Sequence, residues 1–102
     1  KANIFAEKIA EAFTYYHFNA DNPLTYTHWV ISEYYGNSGD SQTVLYLYDL
    51  LFEKSVDLNI KYDVYSMKYR FVAFELGELE KAKQEMLPEL NRLYSEYEKE
   101  QS

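Results

Sequence analysis

The chain contains no cysteine, so disulfide frameworks and thiolate zinc sites are excluded from the outset. Glycine and proline are scarce, at three and two residues, which leaves little material for the many tight turns of an all-β fold. Basic residues are in the minority, 10 against 17 acidic ones, for a net charge of −7. Direct binding to nucleic acid or to an anionic membrane needs a basic patch, and this balance argues against both. No apolar run approaches the roughly 18 residues of a membrane-spanning helix, and no signal-peptide pattern opens the sequence. The absence of cysteine fits a reducing, cytoplasmic setting. Three scattered glycines cannot build a phosphate-binding loop.

Hydrophobic residues, by contrast, make up 47% of the 102 positions and aromatics 19%, twelve of them tyrosine, so the chain is globular rather than disordered. Tyrosine combines apolar bulk with a polar tip and suits half-buried faces and binding surfaces. The most informative stretch is residues 61–76. Wound as a helix, it places Tyr62, Tyr65, Tyr69, Val72 and Leu76 on one face and Val64, Met67, Phe71 and Phe74 on the opposite one. A helix apolar on two faces is covered on both, and this one is expected to lie between neighbours.

Around it, residues 3–20 read as a first helix with the stripe Phe5, Ile9, Ala12, Phe13, Tyr16 and Ala20. Asn22 can cap a second helix over 23–36, with Pro23 at its first position, where a missing N–H costs nothing. Leu24, His28, Ile31, Tyr34 and Tyr35 form its inward face, and Tyr26, Trp29, Val30 and Glu33 lie elsewhere. Residues 37–40, Asn-Ser-Gly-Asp, are the clearest loop. Ser41 or Asp40 can cap a third helix over 41–56, whose Asp49 and Glu53 are confined to one side. Gly77 ends or interrupts the central helix. Residues 78–99 then carry one narrow stripe, Leu79, Ala82, Met86, Leu90, Leu93 and Tyr97, which keeps its phase across Pro88. Proline inside a helix removes a hydrogen bond, so a kink or short break is expected there, and the tail from Glu98 is expected to fray. The fold class is therefore all-α, with about five helices in antiparallel hairpins. They form one domain over 1–102, either a compact helical bundle or an α-solenoid. Since the first residue is Lys rather than Met, that domain can be a piece of a longer helical-repeat protein.

Gly39 and Gly77 lie 38 residues apart, each between a pair of helices, a period in the range of helical repeats. Residues 71–82, Phe-Val-Ala-Phe-Glu-Leu-Gly-Glu-Leu-Glu-Lys-Ala, resemble the middle of a tetratricopeptide repeat. Gly77, Leu79 and Ala82 match the turn glycine, the bulky residue after it and the close-packing alanine. Around Gly39 the match is looser, with Ser32, Tyr35 and Val44 at the corresponding places. Arg70 and Glu89 occupy sites where small residues are usual. The resemblance covers residues 24–90. It implies a concave face lined by Tyr26, Trp29, Glu33 and Asn37 on one helix and by Val64, Met67, Phe71 and Glu75 on the next. The competing reading of the apolar members is that they are core. Trp29, the only tryptophan, stands off the inward stripe of its helix, and tryptophan is enriched in binding hot spots.

No catalytic constellation emerges. His17 and Asp21 have i,i+4 spacing, but two ligands are too few for a closed metal site, and a capping or surface pair is expected instead. His28 reads as a core histidine. No nucleophile motif places the serines, and the carboxylates of 78–100 read as a solvated helix face. The expectation is a non-enzymatic, cofactor-free module for a protein or peptide partner, with Glu33 and Glu75 favouring a basic or polar one. A second expectation is a small acidic inhibitor, such as an immunity protein, antitoxin or phage anti-defence protein. It would meet a basic target through Asp49, Glu53 and Asp57 or through Glu78, Glu80 and Glu85. A third is self-association as a homodimer through Ile4, Tyr15 and Phe18.

Overall fold

The structure, a computed structural model, describes residues 4, 7, 8, 11 and 23–101. Every regular element among them is helical, and no strand occurs. The elements are α1 (Pro23–Ser38), α2 (Ser41–Lys54), α3 (Leu58–Arg70) running into a π-helical turn (Phe71–Glu75), α4 (Leu79–Glu85) and α5 (Leu87–Gln101). Ile4, Glu7, Lys8 and Glu11 are helical and exposed, while the rest of the expected first helix, the Asn22 cap and the His17–Asp21 pair lie outside the described residues. The chain forms two compact units, Lys1–Lys54 and Ser55–Ser102.

In the first unit, α1 packs against α2 across a two-residue link. Helix α1 begins at Pro23, as the fixed φ of proline favours. Its end departs from expectation, because the helix runs through Gly36, Asn37 and Ser38 and stops at Gly39 instead. Gly39 takes φ +66°, and its N–H donates to the Tyr35 carbonyl at 2.8 Å, closing the helix with a left-handed residue. Asn37 and Ser38, read as loop from their composition, remain helical. Their side chains donate to the last-turn carbonyls of Glu33 and Tyr34, at 2.9 and 2.8 Å. Those are the acceptors that a helix end would otherwise leave to water.

Asp40, one of the two candidate caps, starts α2. Its Oδ1 accepts the Thr43 N–H at 3.1 Å, and its Oδ2 accepts the Thr43 and Tyr34 hydroxyls at 2.6 and 2.7 Å. One carboxylate thus ties the last turn of α1 to the first turn of α2. These donors, the Thr43 hydroxyl foremost and the Tyr34 hydroxyl next, hold the Asp40 carboxyl below its ordinary 3.8. Val44, Leu47, Tyr48 and Leu51 are buried along α2, while Asp49 and Glu53 are exposed, the partition its sequence predicts.

In the second unit, α3 packs on α5, and the π-turn packs on α4. The two-stripe pattern of α3 holds through Phe71. Val64, Met67 and Phe71 are buried, and Tyr62, Tyr65 and Tyr69 on the other face are half-buried. It fails at Phe74, which is 66% exposed although α-periodicity places it with Phe71. The cause is the π-turn. The Leu76 N–H donates to the Phe71 carbonyl, and the Glu78 N–H reaches back to Val72, both at 3.0 Å. A wider turn rotates less per residue, so three successive residues, Phe71, Val72 and Ala73, stay buried and Phe74 falls past the covered face. Gly77, at φ +69°, ends this segment.

Pro88 produces the expected short break. Helix α4 ends at Glu85, Met86 forms a turn, and α5 starts at Leu87. The apolar stripe keeps its phase, since Ala82, Met86, Leu90 and Leu93 are all buried. The C-terminal fraying expected from Glu98 onward is not seen as far as Gln101, which is still helical. Within α5, Arg92 grips Glu89 with two bonds of 2.8 and 2.7 Å, three residues apart on an exposed face. Glu89 sits in the first turn, where a carboxylate suits the helix dipole. Two further ion pairs, Lys81–Glu78 and Lys83–Glu80, are exposed contacts of 3.8 Å that add little to stability. No buried side-chain nitrogen or oxygen among the described residues lacks a partner.

Candidate binding surface

Helix α1 divides cleanly by exposure. Thr27 and Ile31 are buried, and Tyr34 and Tyr35 are half-buried, so the covered arc runs through 27, 31, 34 and 35. At about 100° per residue, Trp29 stands nearly opposite the middle of that arc. Trp29 is 59% exposed. Glu33 and Asn37 follow one and two turns later on the same outward stripe, and both are exposed. The 29–33–37 spacing therefore gives a line of aromatic ring, carboxylate and amide. The Asn37 amide spends one donor on the Glu33 carbonyl. Tyr26 belongs to the same helix, and its side chain lies outside the description.

His28 corrects the sequence reading of this helix. It was placed on the inward face as a core histidine, but it is exposed. The covered arc is centred nearer Thr27 and Ile31 than the sequence stripe implied, and His28 falls beyond its edge. A threonine, whose hydroxyl obscures it as a core residue, takes the inward position.

The other proposed site residues are in the second unit. Val64, Met67 and Phe71 are buried and present almost no surface, while Glu75 is exposed. The apolar three thus behave as the core alternative describes, and the exposed members of the set are Trp29, Glu33, Asn37 and Glu75.

A second surface went unsingled in the sequence. Tyr62 of α3 and Tyr94 of α5 stack at a 50° tilt with ring centroids 5.7 Å apart. The Glu98 carboxylate accepts the Tyr94 hydroxyl and pushes that phenol above its ordinary value, with the negative charge adding to the effect. Lys68 lies 5.9 Å from the Tyr65 ring centroid, within cation–π reach. Only the phase of Tyr94, one residue past buried Leu93, signals that it can meet α3. Nearby Asp63 is exposed by area, yet burial of its carboxyl still raises its pKa, with the Arg70 charge opposing.

Among the described residues, no group of three or more metal-ligating side chains converges, and no helix is long and apolar enough to cross a membrane. Comparison with family models, curated proteins and solved structures finds no match.

Proposed function

We propose that this chain is a non-enzymatic helical module that binds a protein or peptide segment, with Trp29 at the centre of the contact. The carrying observation is the exposure of the only tryptophan, aligned with Glu33 and Asn37 on the outward side of a helix anchored by its opposite side. A large aromatic left more than half exposed on a helix surface is a ready anchor for a partner. The left-handed glycines Gly39 and Gly77, each closing a helical segment, support a degenerate tetratricopeptide-like arrangement of hairpins as the scaffold. The cysteine-free composition supports a reducing compartment.

The test uses Trp29 itself as the probe. A peptide that covers it should shift the emission to the blue and shield it from acrylamide. Trp29→Ala should weaken binding at least tenfold without altering the helical circular dichroism. Binding that is indifferent to Trp29→Ala defeats the reading.

The acidic-inhibitor reading keeps one specific support, the exposure of Asp49, Glu53, Asp57, Glu78, Glu80 and Glu85 on a chain of net charge −7. It differs in its salt response. A charge-led complex dissociates steeply between low and high salt, whereas a Trp29-centred one is held through it.

A further inference from the structure

We propose that Tyr62 and Tyr94 form an oxidative modification site, where a haem peroxidase using hydrogen peroxide joins α3 to α5 through a carbon–carbon dityrosine bond. The two residues belong to one compact unit, and their rings stack with centroids 5.7 Å apart at a 50° tilt. Packed aromatic pairs lie about 4.5–7 Å apart, so two phenoxyl radicals formed here meet after a small rotation of either ring. Tyr94 is 46% exposed, which gives an external oxidant access to the pair. Little else intercepts that oxidant by sulfur chemistry. The chain has no cysteine, and its two methionines, Met67 and Met86, are buried. Thiols and exposed thioethers are the side chains that ordinarily take up oxidation. Trp29 is exposed as well, so the test below reads the joined tyrosines themselves rather than oxidant consumed.

Glu98 supplies what the first oxidation needs. The Tyr94 hydroxyl donates to the Glu98 carboxylate, which holds the phenol above its ordinary 10.0 and so protonated at neutral pH. An electron therefore leaves Tyr94 together with its proton, and Glu98 is placed to accept that proton. Tyr97 on the same helix and Tyr62 from α3 are the other titratable groups that act on Tyr94. Tyr62 then loses an electron to the oxidised haem and its proton to water. The two radicals couple at ring carbons ortho to oxygen, and the hydrogens on those carbons move to the oxygens, restoring both phenols. Two hydrogen atoms have left the chain, and they reduce one hydrogen peroxide to two waters. The product is a bond that cellular thiols do not reduce, so it can persist in a compartment where a disulfide cannot.

The experiment treats the dilute full chain with a haem peroxidase and hydrogen peroxide, isolates the monomer and maps it with trypsin and tandem mass spectrometry. The peptides 62–68 and 93–99 should be found joined, less two hydrogen atoms, with the bond at Tyr62 and Tyr94. Tyr62→Phe and Tyr94→Phe, which keep the stacked rings, should each abolish the joined species. Glu98→Gln should lower its yield severalfold near neutral pH and recover it as alkali deprotonates the phenol. The joined monomer should unfold at a higher urea midpoint than the untreated one, because the bond closes a loop of roughly a third of the chain. Joining through other tyrosines, joining only between molecules, or no joining overturns the proposal. An equal yield from the chain unfolded in urea also overturns it, since the folded geometry then plays no part. Unchanged circular dichroism and urea unfolding before oxidation show that each variant is folded.

Discussion

Gly36 and Gly39 stand three residues apart at the end of α1, and replacing each with alanine should move stability in opposite directions. Gly36 is inside the helix, whereas Gly39 follows it at φ +66°. A Cβ at either position meets nothing within 4 Å, so neither change brings a collision. Alanine stiffens the unfolded chain equally at both sites, and that contribution cancels in the comparison. At Gly36 alanine is the better helix former, by about 0.8–1 kcal/mol, and the variant should be more stable by that amount. At Gly39 the left-handed conformation costs an L-residue about 1–2 kcal/mol, which outweighs the gain from a stiffer unfolded chain and leaves a net loss of roughly 0.5–1 kcal/mol. The two variants should therefore differ by about 1.5–2 kcal/mol. With a urea slope of about 1 kcal/mol per molar for a chain of this size, the midpoints should separate by roughly 1.5–2 M with unchanged slope. Gly39→Asn should recover part of the loss, because asparagine tolerates the left-handed region. Equal midpoints for Gly36→Ala and Gly39→Ala would refute the placement of the helix end at Gly39. A stabilising Gly39→Ala with a destabilising Gly36→Ala would move that end back to Gly36.

Two further perturbations test other parts of the fold. Leu93→Ala, at a fully buried position of α5, should cost about 2–5 kcal/mol, whereas Phe74→Ala should change stability by under about 0.5 kcal/mol. A comparable loss at Phe74 in urea unfolding would mean that the π-turn does not rotate that ring outward. Asp40 has a folded-state pKa below the ordinary 3.8, so its stabilising contribution is full above that value and fades as pH falls through the folded pKa. Urea midpoints of the parent should drop between neutral pH and about pH 3 by more than those of Asp40→Asn, which keeps an acceptor at the cap without the titrating charge. Parallel drops would remove Asp40 from the acid sensitivity.

The parts of the fold legible in the sequence were those where one physical signal dominated. Four of the helices follow from 3–4 spacing, the α2 cap was narrowed to Asp40 or Ser41 by residue type, and the break at Met86 follows from Pro88. Where two signals competed, composition misled. Asn37, Ser38 and Gly39 share a loop-like composition, but the first two can donate to the preceding turn and so prolong the helix that the third ends. The π-turn is invisible to a fixed-period reading, because it changes the period itself. Its one trace is the run of three buried residues, Phe71, Val72 and Ala73, which no α-helical stripe of normal width accommodates. At the candidate surface, Trp29 was legible because its phase excluded it from the inward stripe. Val64, Met67 and Phe71 share their spacing with any core stripe, and spacing alone cannot separate a groove from an interior.

The division of α1 into an anchored side and a presented side has a consequence for how a binding surface is kept rigid on a small helix. Isolated helices of this length are marginal in water, so the outward line of Trp29, Glu33 and Asn37 needs support from elsewhere. That support comes from the inward side and the helix end, through buried Thr27 and Ile31, the Tyr34–Asp40 bond and the left-handed closure at Gly39. None of these groups lies on the presented stripe. In the proposed binding role, contact and fold therefore fall to different residues of one helix. On that proposal, changes at Trp29 should act on affinity with little effect on stability, while changes at Ile31 or Gly39 should act on stability first and reach affinity only by loosening the helix that holds the ring in place.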